Sequence, residues 1–219
     1  MFNHIEIDLP HKLERVHIDG KRYYKIPGED IKLVSVTTIT SFQSAKKIKE
    51  WRKRVGEKAA NLKTKRATSR GTGMHTLTEH FLKNEPLPKS NPLPEILFNI
   101  AKPELKKINN IHALERPLYS KTLGLAGTVD CIAEYEGELA VIDFKTSEKP
   151  KPEEWIESYF VQAVAYACML YEMTGIIVKK LVIIMSCENG ECKVYEKRNK
   201  SEYIRKLAQY IQEWKAANE

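Results

Sequence analysis

Along the second half of the chain, apolar residues come in short runs or alternate with polar ones, the period-two signature of strands. Residues 111–120, 127–135 and 139–146 read as three successive strands, the last two joined by a turn at Glu136-Gly137-Glu138. A loop with Pro150 and Pro152 follows, then a helical stretch over 153–174, strands over 180–186 and 191–197, and a closing helix over 201–217. That last helix packs through Tyr203, Leu207, Tyr210, Ile211 and Trp214, which recur at helical spacing. The first half is less regular. Short strands are expected over 23–26 and 33–39. From Ser44 the period becomes helical, with Ile48, Trp51, Val55, Ala59 and Leu62 as a packing stripe. Ser69-Arg70-Gly71-Thr72-Gly73 is expected to break this helix, with a second one beginning near Thr72 and running through His75, Leu77 and Phe81. A proline-rich connector over 86–94 leads to an apolar helical stretch at 95–100, interrupted at Pro103. Together these elements predict an α/β fold, a mixed central sheet flanked by helices. Residues 1–110 would supply N-terminal strands and basic helices to the same domain, and 111–219 its core.

Charge sharpens the picture of the first half. Residues 46–70 hold eleven Lys or Arg against Glu50 and Glu57, a net of +9, while the whole chain is +7. One segment thus carries the entire positive excess, which suits phosphate contact and suits a solvated helix face equally. At 219 residues, 42% hydrophobic and 30% charged, the chain fits one globular domain with a modest elaboration. No apolar run approaches the ~20 residues of a membrane span. The first residues look like neither a secretory signal nor a transit peptide, so a cytoplasmic protein is expected. Cys131 and Cys168 lie in apolar segments and read as reduced, structural thiols. Cys187 and Cys192 flank the turn Glu188-Asn189-Gly190-Glu191 and are placed to face each other across strands, without the further ligands zinc requires.

The densest chemistry sits in the 127–146 hairpin. It can bring Asp130 and Asp143 together on rigid strands, and Lys145, two residues past Asp143, points to the same face. Two carboxylates and a lysine suit a hard divalent cation with a positive group beside it, as metal-assisted phosphodiester hydrolysis needs. Alone, an Asp-x-Lys on a strand is more often a solvated face.

Its company changes that reading. A helix with His75, strands with Glu115, Asp130 and Asp143-Phe144-Lys145, and a helix with Gln162-x-x-x-Tyr166 follow in order. Upstream stand Ser35-Val36-Thr37-Thr38-Ile39, Trp51-Arg52-Lys53-Arg54-Val55-Gly56 and Arg70-Gly71-Thr72-Gly73-Met74-His75. This order resembles the RecB-type branch of the PD-(D/E)xK nuclease superfamily, and within it the mitochondrial genome maintenance exonucleases and their phage relatives. The resemblance covers most of residues 33–175. It implies a restriction-endonuclease-like mixed sheet with an N-terminal helical addition over the active site. Asp130 and Asp143 match the metal-binding carboxylates, with His75 and the main-chain carbonyl of Phe144 as further ligands. Glu115 matches an acid that reaches a second metal or the attacking water, and Lys145 matches the catalytic lysine. Gln162 and Tyr166 match a pair that contacts the nucleic-acid backbone or props the lysine.

The bare residues leave other readings open: His75 as a satisfied polar residue near a helix start, Glu115 as a surface carboxylate, Tyr166 as a core aromatic. Arg52, Lys53, Arg54 and Arg70 are candidate nucleic-acid contacts, and Trp155 and Tyr159 candidate stacking platforms. No cysteine precedes Cys131, so the iron–sulfur cluster of some RecB-type nucleases is not expected. The implied function is a Mg²⁺- or Mn²⁺-dependent exonuclease acting on single-stranded DNA ends in replication, recombination or repair. The alternatives are a structure- or sequence-specific endonuclease and a non-catalytic DNA-binding accessory protein.

Overall fold

A computed structural model, describing residues 1–218, places eight strands in one mixed sheet. They are β1 (Glu14–Ile18), β2 (Lys21–Lys25), β3 (Lys32–Ser35), β4 (Ile108–Ser120), β5 (Leu125–Tyr135), β6 (Glu138–Ser147), β7 (Lys180–Cys187) and β8 (Cys192–Lys197). The helices are α1 (Val36–Val55), α2 (Glu57–Leu82), α3 (Pro92–Leu105), α4 (Glu157–Thr174) and α5 (Ser201–Ala216). Alternation along the buried strands feeds two cores. Leu181, Ile183 and Met185 of β7 join a cluster with Val36 of α1, Phe160 of α4 and Leu207 of α5. Val182 and Ile184, on the opposite face, join Met74 of α2 and Leu97 of α3. The sheet is therefore sandwiched between α1, α4 and α5 on one side and α2 and α3 on the other.

Strand order runs β1-β2-β3-β5-β6-β7-β8, with β4 pairing β5. Strands β4, β5 and β6 form an antiparallel meander; Glu136 (φ 53°) and Gly137 (φ 77°) make the tight turn that joins β5 to β6. Helix α4 carries the chain across to β7, which lies parallel to β6. One irregularity matters most. Strand β4 takes one edge of β5. On the other edge β5 pairs β3 only at Leu125 and Ala126, and β6 only from Cys131 to Tyr135. Gly127 to Asp130 thus has no strand partner on that edge, and the sheet opens there.

The structure corrects the sequence reading at several places. Residues 36–39 are helical, although Val36-Thr37-Thr38-Ile39 is a β-branched run. Val36, Ile39 and Thr40 are buried at i, i+3 and i+4, and that packing overrides the propensity. The break between basic helices falls at Gly56 (φ 82°), and α2 runs unbroken through Gly71 and Gly73. Gly73 is there for close packing: a Cβ on it would stand 2.6 Å from the ring of Pro94 on α3. Helix α3 contains Pro103 because that residue lies in its last turn, where a missing donor costs a single intrahelical bond. The expected stripe on the basic helices packs only in part: Trp51 and Val55 are half-buried, but Ile48, Ala59 and Leu62 are exposed. Cys187 and Cys192 do not face each other. Cys192 pairs with Ser186, and the two thiols belong to opposite cores.

Gly73→Ala is expected to lower stability by about 1–3 kcal/mol through overpacking against Pro94. Gly71→Ala, whose Cβ would meet only Thr146 Oγ1 at 3.7 Å, should be neutral or raise it by about 0.5–1 kcal/mol. Urea unfolding of the two variants checks the contrast, and equal effects would contradict the packing argument.

Candidate active site at the gap in the sheet

The opening between β5 and β6 gathers the predicted acids. Asp130 and Asp143 lie just past the last paired residues, Cys131 and Ile142, at positions that continue that register. Strand β6 turns away here, and the Asp130 side chain takes over the pairing: its Oδ2 accepts the Phe144 N–H at 2.9 Å. Asp143 is 2% exposed. Its carboxylate meets the Lys145 ammonium, with Nζ 2.8 Å from Oδ1 and 2.7 Å from Oδ2. The Oδ2 atom nevertheless has no well-directed hydrogen bond and no solvent.

Strand β4 contributes Glu115. Between the pairs Leu114–Cys131 and Arg116–Val129, it stands opposite Asp130. Its φ of 48° is left-handed, a conformation that costs a non-glycine residue about 1–3 kcal/mol and collects at functional sites.

Helix α2 brings His75 over the gap. Its Nε2–H donates to the Phe144 carbonyl at 2.8 Å, leaving Nδ1 facing Asp130 Oδ2 at 3.7 Å and Glu115 Oε1 at 3.8 Å. Burial disfavours a charged imidazole, yet Asp130 and Glu115 outweigh it and raise the His75 pKa to about 9. Burial also pushes the Asp143 carboxyl above its ordinary range, against the pull of Lys145. For Lys145 burial works downward, but the charges of Asp143 and Asp130 prevail and the ammonium is held above its usual value.

His75, Glu115 and Asp130 each offer a ligand atom, and these atoms lie within 4.8 Å of one another. Asp143 stands outside that group with its carboxylate on Lys145, and the Phe144 carbonyl accepts the His75 N–H. The gathered ligands are thus one nitrogen donor and two carboxylates. The buried Asp143 Oδ2 is already met by the Lys145 ammonium, so the fit rests on the three gathered donors. The residues fit a divalent ion.

The remaining candidates are placed as follows. Tyr166 on α4 is 2% exposed, so it is a core aromatic beneath the site and has no surface for a nucleic-acid backbone. Its hydroxyl lies where a Cβ on Gly127 would approach to 2.8 Å, and burial together with Asp130 keeps the phenol protonated. Gln162, one turn earlier and half-buried, lies on the same face of α4 as that phenol. Arg70 is also nearly buried; its guanidinium pairs with Glu188 on the β7–β8 turn, and its Nε donates to Thr146 Oγ1 at 3.3 Å. Arg52 donates to Glu57 and Asn61, while Lys53 and Arg54 are exposed. Trp155 is exposed, and the half-buried Tyr159 ring centre lies 5.1 Å from Lys145 Nζ. Sequence reasoning missed Glu188, Thr146 and Lys151, whose Nζ donates to the Tyr159 hydroxyl at 2.7 Å. Of these only Lys151 left a signal, as a lysine fixed between two prolines.

A family model described as the PD-(D/E)XK nuclease superfamily matches residues 34–218. Mitochondrial genome maintenance exonuclease 1 of Homo sapiens is 33% identical over 156 residues, which are 65% of this chain and 45% of that protein. The protein of the same name from Mus musculus is 52% identical over 48 residues, 22% of this chain and 14% of that one. The chain therefore spans less than half the length of these curated relatives. A solved structure from Eubacterium rectale, described as that of a candidate exonuclease, aligns with a TM-score of 0.47 at 11% identity, over 66% of this chain and 63% of that one.

Two outcomes follow from the crowded acids. A divalent cation should raise the unfolding free energy by about 2.7 kcal/mol at 100 times its dissociation constant, and Asp130→Asn should remove most of that gain. Glu115→Asn should raise the metal-free midpoint, because Asn adopts left-handed backbone at lower cost. A lower midpoint in that variant would show that the carboxylate stabilises the fold.

Proposed function

The chain belongs to the PD-(D/E)XK nuclease superfamily, and on that footing we propose that it is a divalent-cation-dependent deoxyribonuclease that shortens single-stranded DNA from its ends. The observation that carries the reading is the convergence of Asp130, Asp143, Lys145, Glu115 and His75 at one gap in the sheet. His75, Asp130, Asp143 and the Phe144 carbonyl, with Glu115 beside them, would hold Mg²⁺ or Mn²⁺. Bound there, such an ion activates water and offsets charge on the phosphate. Lys145 Nζ donates a hydrogen bond to a phosphate oxygen as negative charge grows in the transition state. Glu115 orients the attacking water from the strand facing Asp130. Tyr166 and Gln162 hold the floor of the site from below.

The exonuclease assignment draws on the name of the curated relatives. The strand would reach the site along α2, which joins the exposed basic segment to His75 in one rigid helix. Arg52, Lys53 and Arg54 would contact its phosphates, so binding should weaken steeply with salt. Arg70, committed to Glu188, would act by holding α2 in place.

The test compares an end-labelled linear single strand with a circle of the same sequence, each with Mg²⁺, Mn²⁺ or chelator. The linear strand alone should be degraded, and only with metal. Asp143→Ala should reduce the rate to background, and Lys145→Ala by about 10²–10³-fold. Cutting of the circle would mean an endonuclease. Binding without cutting under any metal would leave a DNA-binding accessory protein.

A further inference from the structure

Beside the acids, the loop Ser147-Glu148-Lys149-Pro150-Lys151-Pro152 between β6 and α4 holds a lysine that the mechanism above does not use. Lys151 is fixed in three ways. Prolines flank it, and each proline locks its own φ while restricting the residue before it. Its carbonyl accepts the Tyr195 hydroxyl of β8 at 2.5 Å. Its ammonium donates to the Tyr159 hydroxyl of α4 at 2.7 Å. The side chain is half-buried. Among the described residues no carboxylate lies within ion-pairing distance of it. Lys145, Lys180, Lys197 and Lys206 each pair with an acid, whereas Lys25, Lys102 and Lys200, half-buried like Lys151, do not among the described residues. What sets Lys151 apart is that it shares the Tyr159 ring with Lys145.

A cation held in place without a counterion is an anion site in waiting. Immobilising an ammonium sacrifices the side-chain freedom that a surface lysine keeps, and here no internal ion pair offsets it. The position of the ammonium identifies the anion. Lys145 and Lys151 both lie within 5.2 Å of the Tyr159 ring centre, so the two ammoniums stand around one aromatic ring. One is tied to the buried acids, and the other is free of them.

We infer that Lys151 forms a second phosphate site, holding the phosphodiester next to the one that is cut, with Tyr159 spacing it from Lys145. The inference rests on the nuclease reading above and deepens it. The site takes an internal phosphodiester and reads no base, so its contribution is register: it fixes which linkage is presented to the acids. Lys151 contacts substrate in binding, and the Tyr159 hydroxyl positions it.

The experiment uses linear single strands in which one phosphodiester at a time is replaced by an uncharged methylphosphonate, counted from the scissile bond. Wild type should lose about tenfold in kcat/KM when the adjacent linkage is neutral, the scale of one charged hydrogen bond. Lys151→Met should lose about the same on unmodified DNA, mostly in KM, and nothing further from that one modification, while penalties at other linkages persist. Its dependence on salt should flatten by about 0.7 in log–log slope, one phosphate's share for a single strand. Lys151→Arg, which keeps the charge, should retain the position-specific penalty, and matched melting midpoints establish that both variants fold. A Lys151→Met enzyme still penalised at the adjacent linkage as wild type is, or one that loses kcat alone, overturns the inference while leaving the nuclease reading intact. A wild type that cuts none of the strands overturns both.

Discussion

Acids brought together out of water repel one another, and this protein concentrates three of them where its sheet comes apart. Between Gly127 and Asp130 one edge of β5 has lost β3, which has ended and become α1, and has not yet met β6. Continuous pairing would have filled that space with backbone. The opening leaves room for side chains, and the Asp130 carboxylate spans it by accepting the Phe144 N–H. The cost is visible in Asp143, buried with a raised pKa despite the Lys145 ammonium beside it, and in the left-handed backbone of Glu115. Local strain and desolvation of this kind persist only where the surrounding structure over-determines them.

The surrounding structure does so from both faces. Helix α4 lays Tyr166 against Gly127, where any Cβ would collide with the phenol. Helix α2 crosses the other side, locked to α3 by the Gly73–Pro94 approach and to the β7–β8 turn by Arg70 and Glu188. His75 lies five residues after Arg70 on that helix, so the salt bridge also fixes the imidazole over the acids. The same helix begins in the exposed basic segment. One rigid helix thus connects the part of the positive surface over residues 57–70 to the candidate site, while residues 46–55 lie on α1 beyond the break at Gly56.

The sequence made much of this legible, and its failures have physical causes. Strands β4 to β8 were readable because their residues alternate between two cores, and Asp130, Asp143 and Lys145 because residues two apart on a strand share a face. Residues 36–39 misled because β-branched propensity is weaker than burial of an i, i+3, i+4 face. Gly73 misled because close helix packing and helix breaking ask for the same residue, and Gly71, which has no such contact, because a lone glycine is tolerated inside a packed helix. Arg70 read as a surface cation, since nothing local announces a partner 118 positions away. For Lys151 the reason is partly the same: one tether comes from β8, 44 positions away, although the other, Tyr159, is only eight residues on.

The central claim is that the gap in the sheet is a cation site. A crystal of the protein grown with Mn²⁺, measured at a wavelength where manganese scatters anomalously, tests it most directly. The account predicts an anomalous peak bounded by His75, Glu115 and Asp130, absent from Asp130→Asn crystals. A gap left dark at saturating Mn²⁺, with the ion on some other acidic cluster, would contradict it.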